Sequence, residues 1–175
     1  MLSRLAIAFV LAAAAAAPSA QAAVHELAPD QAVVLPDDET GVAKVALQFD
    51  LSGIPEGHVI DLGYLDWSLT GVSDSERSEY AILLVTSSWT EAGVSGGAAP
   101  DVEEASFGTW DIEPRDYGRT AGLVRFALTD LAREWSSGET DNFGVVVSTE
   151  HLSGNALATQ LENATLVLHT HHETE

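Results

Sequence analysis

The 175-residue chain has no cysteine, one methionine and only seven basic side chains against 27 acidic ones. Without cysteine there is no disulfide to staple the fold and no thiolate to act as nucleophile or metal ligand. Lys44 is the single lysine, so the clustered positive charge that binds phosphate is missing. Nucleic acid and anionic membrane surfaces are repelled by such a chain. Long apolar runs are missing too. The longest, residues 5–17, has 13 residues, and a bilayer span needs about 20. No H-E-x-x-H or glycine-rich phosphate loop occurs, which removes the usual signatures of zinc proteases and nucleotide enzymes. A glycosidase needs two carboxylates at a set distance. With 27 acids, pairs such as Asp111 with Glu113 or Glu91 with Glu134 arise by chance. No catalytic role is expected.

What the chain does have begins with a leader. Arg4 supplies a positive start, residues 5–17 an apolar stretch, and Ala20, Gln21 and Ala22 an A-x-A cleavage pattern. The pattern predicts a secretory signal peptide over residues 1–22, cleaved to leave one mature domain over 23–175, with cleavage after Ala20 as the rival. The product is expected to be secreted, extracellular or periplasmic, with no membrane span. Past the leader, 27 acids face six bases, a net charge of −21. Stability has to come from a hydrophobic core, and a domain of this size buries about two thirds of its unfolded surface.

The mature chain alternates with period two. Val45, Leu47, Phe49 and Leu51 alternate with Lys44, Ala46, Gln48 and Asp50 up to a Gly/Pro turn at 52–57. Leu65, Trp67 and Leu69 form a second alternating set, and runs at 80–86, 123–128, 145–149 and 165–171 read as further strands. In the run at 80–86 either Ile82 and Leu84 or Leu83 and Val85 face inward. One segment departs from this period: Leu128, Leu131 and Trp135 fall at helical spacing, with Thr129 placed to cap and Gly138 just past the end. Clusters at 93–100, 136–138 and 153–155 read as loops. The fold class predicted is all-β, a jelly-roll-like β-sandwich with one short α-helix.

Four segments, in order, carry a resemblance. They are V-A-L-Q-F-D-L at 45–51 followed by Ile54 and Pro55, the strand L-D-W-S-L at 65–69, V-T-S-S-W-T-E at 85–91, and F-A-L-T-D-L at 126–131 leading to Trp135, Gly138, Asn142, Phe143 and Gly144. This order resembles the DNRLRE domain family of secreted bacterial and archaeal proteins, related to disaggregatase-type repeats, over roughly residues 43–170. The resemblance implies a jelly-roll-like β-sandwich, and in some members a carbohydrate-binding module. The family pattern supplies no catalytic residue. The chain departs from it in lacking a Gly/Asn-rich opening at 23–41 and in its scarcity of basic residues. Repulsion therefore favours neutral or cation-bridged glycans over bare polyanions.

Aromatic rings stack on sugar C–H faces, so each tryptophan needs placing. Trp67 shares a face with Leu65 and Leu69, Trp135 with Leu131, and Trp89 sits at a family motif position, so with Phe49 these read as structural core. Trp110 lies among small and acidic residues and is the candidate sugar-stacking ring, with Tyr117, Arg115 and Arg119 as neighbouring contacts. Two acidic groups, Asp37, Asp38, Glu39 and Asp101, Glu103, Glu104, supply oxygen ligands suited to calcium, although neither has the EF-hand spacing. Their bland reading is a solvated acidic surface. His169 and His171 point to one face of a strand, beside His172 and with Glu173 continuing the face, a pattern that suits zinc or copper.

Two functions are carried forward. The first is a secreted, non-catalytic carbohydrate-binding module whose partner is polysaccharide or another extracellular glycan. The second is a structural or adhesive extracellular matrix protein that self-associates through strand edges, with residues 24–35 as the pairing segment. Those residues read first as an intramolecular strand. Because the excess negative charge repels itself, millimolar calcium or magnesium is expected to raise the melting temperature in a thermal scan; a flat response would contradict this.

Overall fold

The computed structural model describes residues 22–36, 41–69, 78–112 and 122–173. Two antiparallel sheets face each other in a sandwich-like, mostly β arrangement. The strands are β1 (Ala22–Leu27), β2 (Gln31–Val34), β3 (Ala43–Gln48), β4 (His58–Ser68), β5 (Ser78–Val85), β6 (Val102–Ile112), β7 (Leu123–Ala127), β8 (Val145–Thr149) and β9 (Thr165–His172). A four-stranded sheet has the order β1-β9-β4-β7 and a five-stranded sheet the order β2-β3-β8-β5-β6. The expected leader falls outside the described residues, except Ala22, which opens β1.

Alternation builds the shared core. Leu65 and Trp67 of β4, Val124 and Phe126 of β7, and Leu166 and Leu168 of β9 point to the same side. They meet Val45 and Leu47 of β3, Tyr80 and Ile82 of β5, and Val145 and Val147 of β8. Trp67 stacks on Phe126 with centroids 5.4 Å apart and planes 9° apart, and meets Tyr80 of the opposite sheet edge-on at 5.7 Å. Beyond β3, the Ser52 N–H and hydroxyl both donate to Asp50. Those bonds, the backbone one foremost, hold the Asp50 carboxyl below its usual range.

The five-stranded sheet is covered on both faces, which explains the ambiguous run at 80–86. Ile82 and Leu84 pack toward the shared core, while Leu83 and Val85 enter a second apolar cluster with Leu35, Ala46, Trp89, Val94 and Val146. Trp89 therefore plugs the outer side of this sheet. It is held there by its Nε1–H donating to the Phe143 carbonyl at 2.8 Å.

Among the described residues the expectation of one helix is corrected to three: α1 (Glu91–Ser95), α2 (Thr129–Ser137) and α3 (Gly154–Leu161). Thr90 caps α1 through Gly93 N–H, and Ser153 caps α3 through Ala156 N–H, so residues 93–95 and 153–155, expected as loops, are helical or capping. Leu157 and Leu161 anchor α3 in the core. In α2 the N-cap is Leu128, without a side-chain cap bond, and the Thr129 hydroxyl instead accepts from Gly63 N–H of β4 at 3.0 Å. Gly138 ends α2 in the left-handed conformation, as its position suggested. Among the described residues no helix is long and apolar enough to cross a membrane.

Gly144, entering β8, has φ +89°, and a Cβ there would lie 2.1 Å from the Leu47 carbonyl oxygen. Backbone cannot give way as a flexible side chain can. Gly144→Ala is expected to lower unfolding free energy by about 3 kcal/mol or more, from strain at a special φ plus the clash. Gly53→Ala, where nothing lies within 4 Å, serves as the control within about 0.5 kcal/mol. Urea titration of both reads the difference, and equal midpoints would contradict the packing described.

Candidate functional site

Whereas residues 86–101 roof the five-stranded sheet, none of the described residues covers the outer face of the four-stranded sheet. The register shows that face rung by rung. Val24 of β1, His169 of β9 and Leu62 of β4 form one rung. The next is Glu26, Val167, Tyr64 and Ala127, and the third is Thr165, Asp66 and Arg125. Leu123 of β7 lies beyond, opposite Ser68. Val24, Leu62 and Leu123 are 56, 44 and 57% exposed. These large exposed hydrophobics therefore share a single face, where chance would scatter them over the surface.

Two pairs of polar side chains are held together on this face. Arg125 Nε donates to Asp66 Oδ1 at 2.8 Å and Nη2 to Oδ2 at 2.6 Å, a bidentate pair. The bond to Asp66 raises the Arg125 pKa further, so it stays charged. The same guanidinium lies 4.6 Å over the Tyr64 ring, and that ring meets His169 edge-on at 6.3 Å. Farther along, His171 Nδ1 is 3.0 Å from both carboxylate oxygens of Asp61. Planar polar groups in fixed orientation thus alternate with apolar positions, and Arg125 and His171 each face a carboxylate.

On the inner side, the same sheet ends in a second histidine group. His25 Nε2 and His58 Nδ1 lie 3.1 and 3.0 Å from the hydroxyl of buried Thr170. The His58 ring meets those of His25 and His172 edge-on. His58 also borders a recess of about 380 Å³ shared with Arg133, Glu134 and Glu139.

The residues singled out from the sequence are placed differently. Trp110 belongs to β6, the edge strand of the other sheet, with its backbone paired to Tyr80. Tyr117, Arg115 and Arg119 lie outside the described residues, as do Asp37, Asp38 and Glu39. Asp101 and Glu103 border a recess of about 530 Å³ with Lys44, Leu35 and Pro100, and Glu104 follows in β6. His169 and His171 do share the outer face, but the first packs against Tyr64 and the second bonds Asp61. Among the described residues no three histidine or carboxylate side chains converge as a metal site. Phe49, Trp67, Trp89, Leu131 and Trp135 are all buried.

Sequence reasoning missed Tyr64, Asp66 and Arg125 because strand alternation marks them only as outward and polar. Their partnership depends on the β4–β7 register, which no local pattern reveals. Searches with protein-family models and against curated proteins found no match for this chain.

Proposed function

We propose that this protein is a secreted, non-catalytic carbohydrate-binding module of the DNRLRE kind, jelly-roll-like in connectivity, that binds uncharged extracellular polysaccharide. The observation that carries the reading is the open outer face of the four-stranded sheet. Sugars present apolar C–H faces beside rigid hydroxyls, and a ligand of that kind needs apolar positions interleaved with oriented donors and acceptors. Leu62, Tyr64 and Val167 supply the first, and the Arg125–Asp66 and His171–Asp61 pairs the second. Side chains locked on strands lose little entropy on binding. The preference for an uncharged chain follows from a protein charge of −20 and a face whose arginine is already paired. The pairing of β1 with β9 and of β3 with β8, strands from opposite ends of the chain, supports the jelly-roll reading, and the leader pattern supports export.

A second reading, self-association as a matrix protein, draws on β1. This strand pairs within the chain, so residues 24–35 are not a free pairing segment, but β1 is a sheet edge carrying exposed Val24.

Affinity electrophoresis separates the two. The mature protein is run through gels containing xylan, hydroxyethylcellulose, mannan, alginate or polygalacturonate, with calcium and with chelator. Retardation by an uncharged polymer is expected, weakened about tenfold, or about 1.4 kcal/mol, by Tyr64→Ala or Arg125→Gln and unchanged by Trp110→Ala. Loss with Trp110→Ala alone would move the site to β6. Retardation by alginate only with calcium would bring the acidic residues into the site. No retardation in any gel, together with concentration-dependent oligomers in sedimentation, would put self-association first.

A further inference from the structure

The shape of the open face depends on an irregularity in β4. Its register with β9 runs His58 to His172, Val59 to His171 and Ile60 to Thr170, then skips to Leu62 opposite His169. Asp61 is the extra residue of a bulge. Such a residue drops out of the ladder and bends the strand beyond it. Here Ile60 is buried against the core, Asp61 and Leu62 are both exposed, and Gly63 turns inward again. Without the extra residue, position 61 would pair with His169 and position 62 with Leu168, carrying Leu62 to the core side. The bulge sets Leu62 on the outer face, in the rung with His169 and Val24 and beside the Asp61–His171 pair.

One side chain binds the carbonyls of that bulge. Arg133, on α2, donates from Nε to the Ile60 carbonyl at 2.7 Å and from Nη2 to the Asp61 carbonyl at 2.8 Å. Its Nη1 reaches Asp130 one turn earlier at 3.3 Å. The helix is itself fixed to the next inward residue of β4. Leu128 N–H donates to the Gly63 carbonyl, and a Cβ on Gly63 would come within 3.3 Å of the Ala132 methyl. Binding two adjacent carbonyls at once takes two donors in a fixed plane, which a guanidinium has and an ammonium lacks.

We infer that Arg133 is a positioning residue for the ligand-binding face: it holds the β4 bulge that presents Leu62 and the Asp61–His171 pair. The inference rests on the reading of that face as a glycan site. Arg133 acts through the backbone of β4 and makes no contact with the ligand.

The test compares Arg133→Lys and Arg133→Ala with wild type in the full mature chain, by three measurements. These are retardation in whichever of the five polysaccharides retards wild type, the imidazole ¹⁵N spectrum of His171, and the melting temperature. Thr129→Ala, which removes a different α2–β4 bond, controls for general loosening of the helix. Both Arg133 variants are expected to weaken retardation about tenfold or more. They should also move the His171 Nδ1 signal to that of an Asp61→Asn variant, while Thr129→Ala lowers the melting temperature without moving it. A folded Arg133→Lys protein with unchanged retardation and an unchanged His171 spectrum would overturn the inference. Should no polysaccharide retard wild type, the glycan reading fails, and the His171 spectrum still decides whether Arg133 holds the bulge.

Discussion

The contact between Trp67 and Tyr80 joins the two sheets, and the rest of the fold depends on it. In a chain with no cysteine and 20 excess negative charges, no disulfide can tie the sheets, and packing carries the contact between them. Trp67 lies flat on Phe126 of its own sheet and edge-on to Tyr80 of the other, and all three rings are buried. Each ring contributes on the order of 2–3 kcal/mol by burial, with about 0.5–1.5 kcal/mol more for each ring pair. Against this stands the indole N–H of Trp67, buried without a hydrogen-bond partner among the described residues, which costs about 1–3 kcal/mol. The stack outweighs that cost. The Tyr80 hydroxyl is satisfied, donating to Gln160 of α3 at 2.9 Å, so the same cluster also ties down a helix.

With the sheets fixed face to face, the outer faces take different fates. Residues 86–101 fold over the five-stranded sheet, seat Trp89 on Val146 and Val85, and make a second apolar layer. The four-stranded sheet receives no such roof from the described residues. Its outward positions carry exposed apolar side chains beside the Arg125–Asp66 and His171–Asp61 pairs, and that asymmetry leaves one face covered and the other open. Helix α2 links the two roles. Its buried side, Leu131, Ala132 and Trp135, packs in the core, while Arg133 reaches the β4 backbone directly behind the open face.

Period-two alternation in the sequence marked most of the strands, because the four-stranded sheet has one face in the core and the other outside. It failed where both faces are covered. Ile82, Leu83, Leu84 and Val85 are all apolar, as are Val145, Val146 and Val147, so no phase could be read. Helix α2 was legible from Leu131, Trp135 and Gly138, but α3 was not. Ser153, Gly154 and Asn155 look like a loop, and only tertiary burial of Leu157 and Leu161 makes that segment a helix. The site was the least legible part. Tyr64, Asp66, His169 and Arg125 come from three strands and up to 105 positions of separation. What unites them is strand register, a bulge at Asp61 included, and composition drew attention to Trp110 instead.

The central claim is that the outer face of the four-stranded sheet binds an uncharged glycan. The most direct measurement is an amide and side-chain NMR titration of the protein with xylohexaose, cellohexaose and mannohexaose. The account predicts shifts with at least one of them, confined to outward residues of β4, β7 and β9: Leu62, Tyr64, Asp66, Arg125, Val167 and His169. Shifts centred on β6, or none with any oligosaccharide at millimolar concentration, would contradict it.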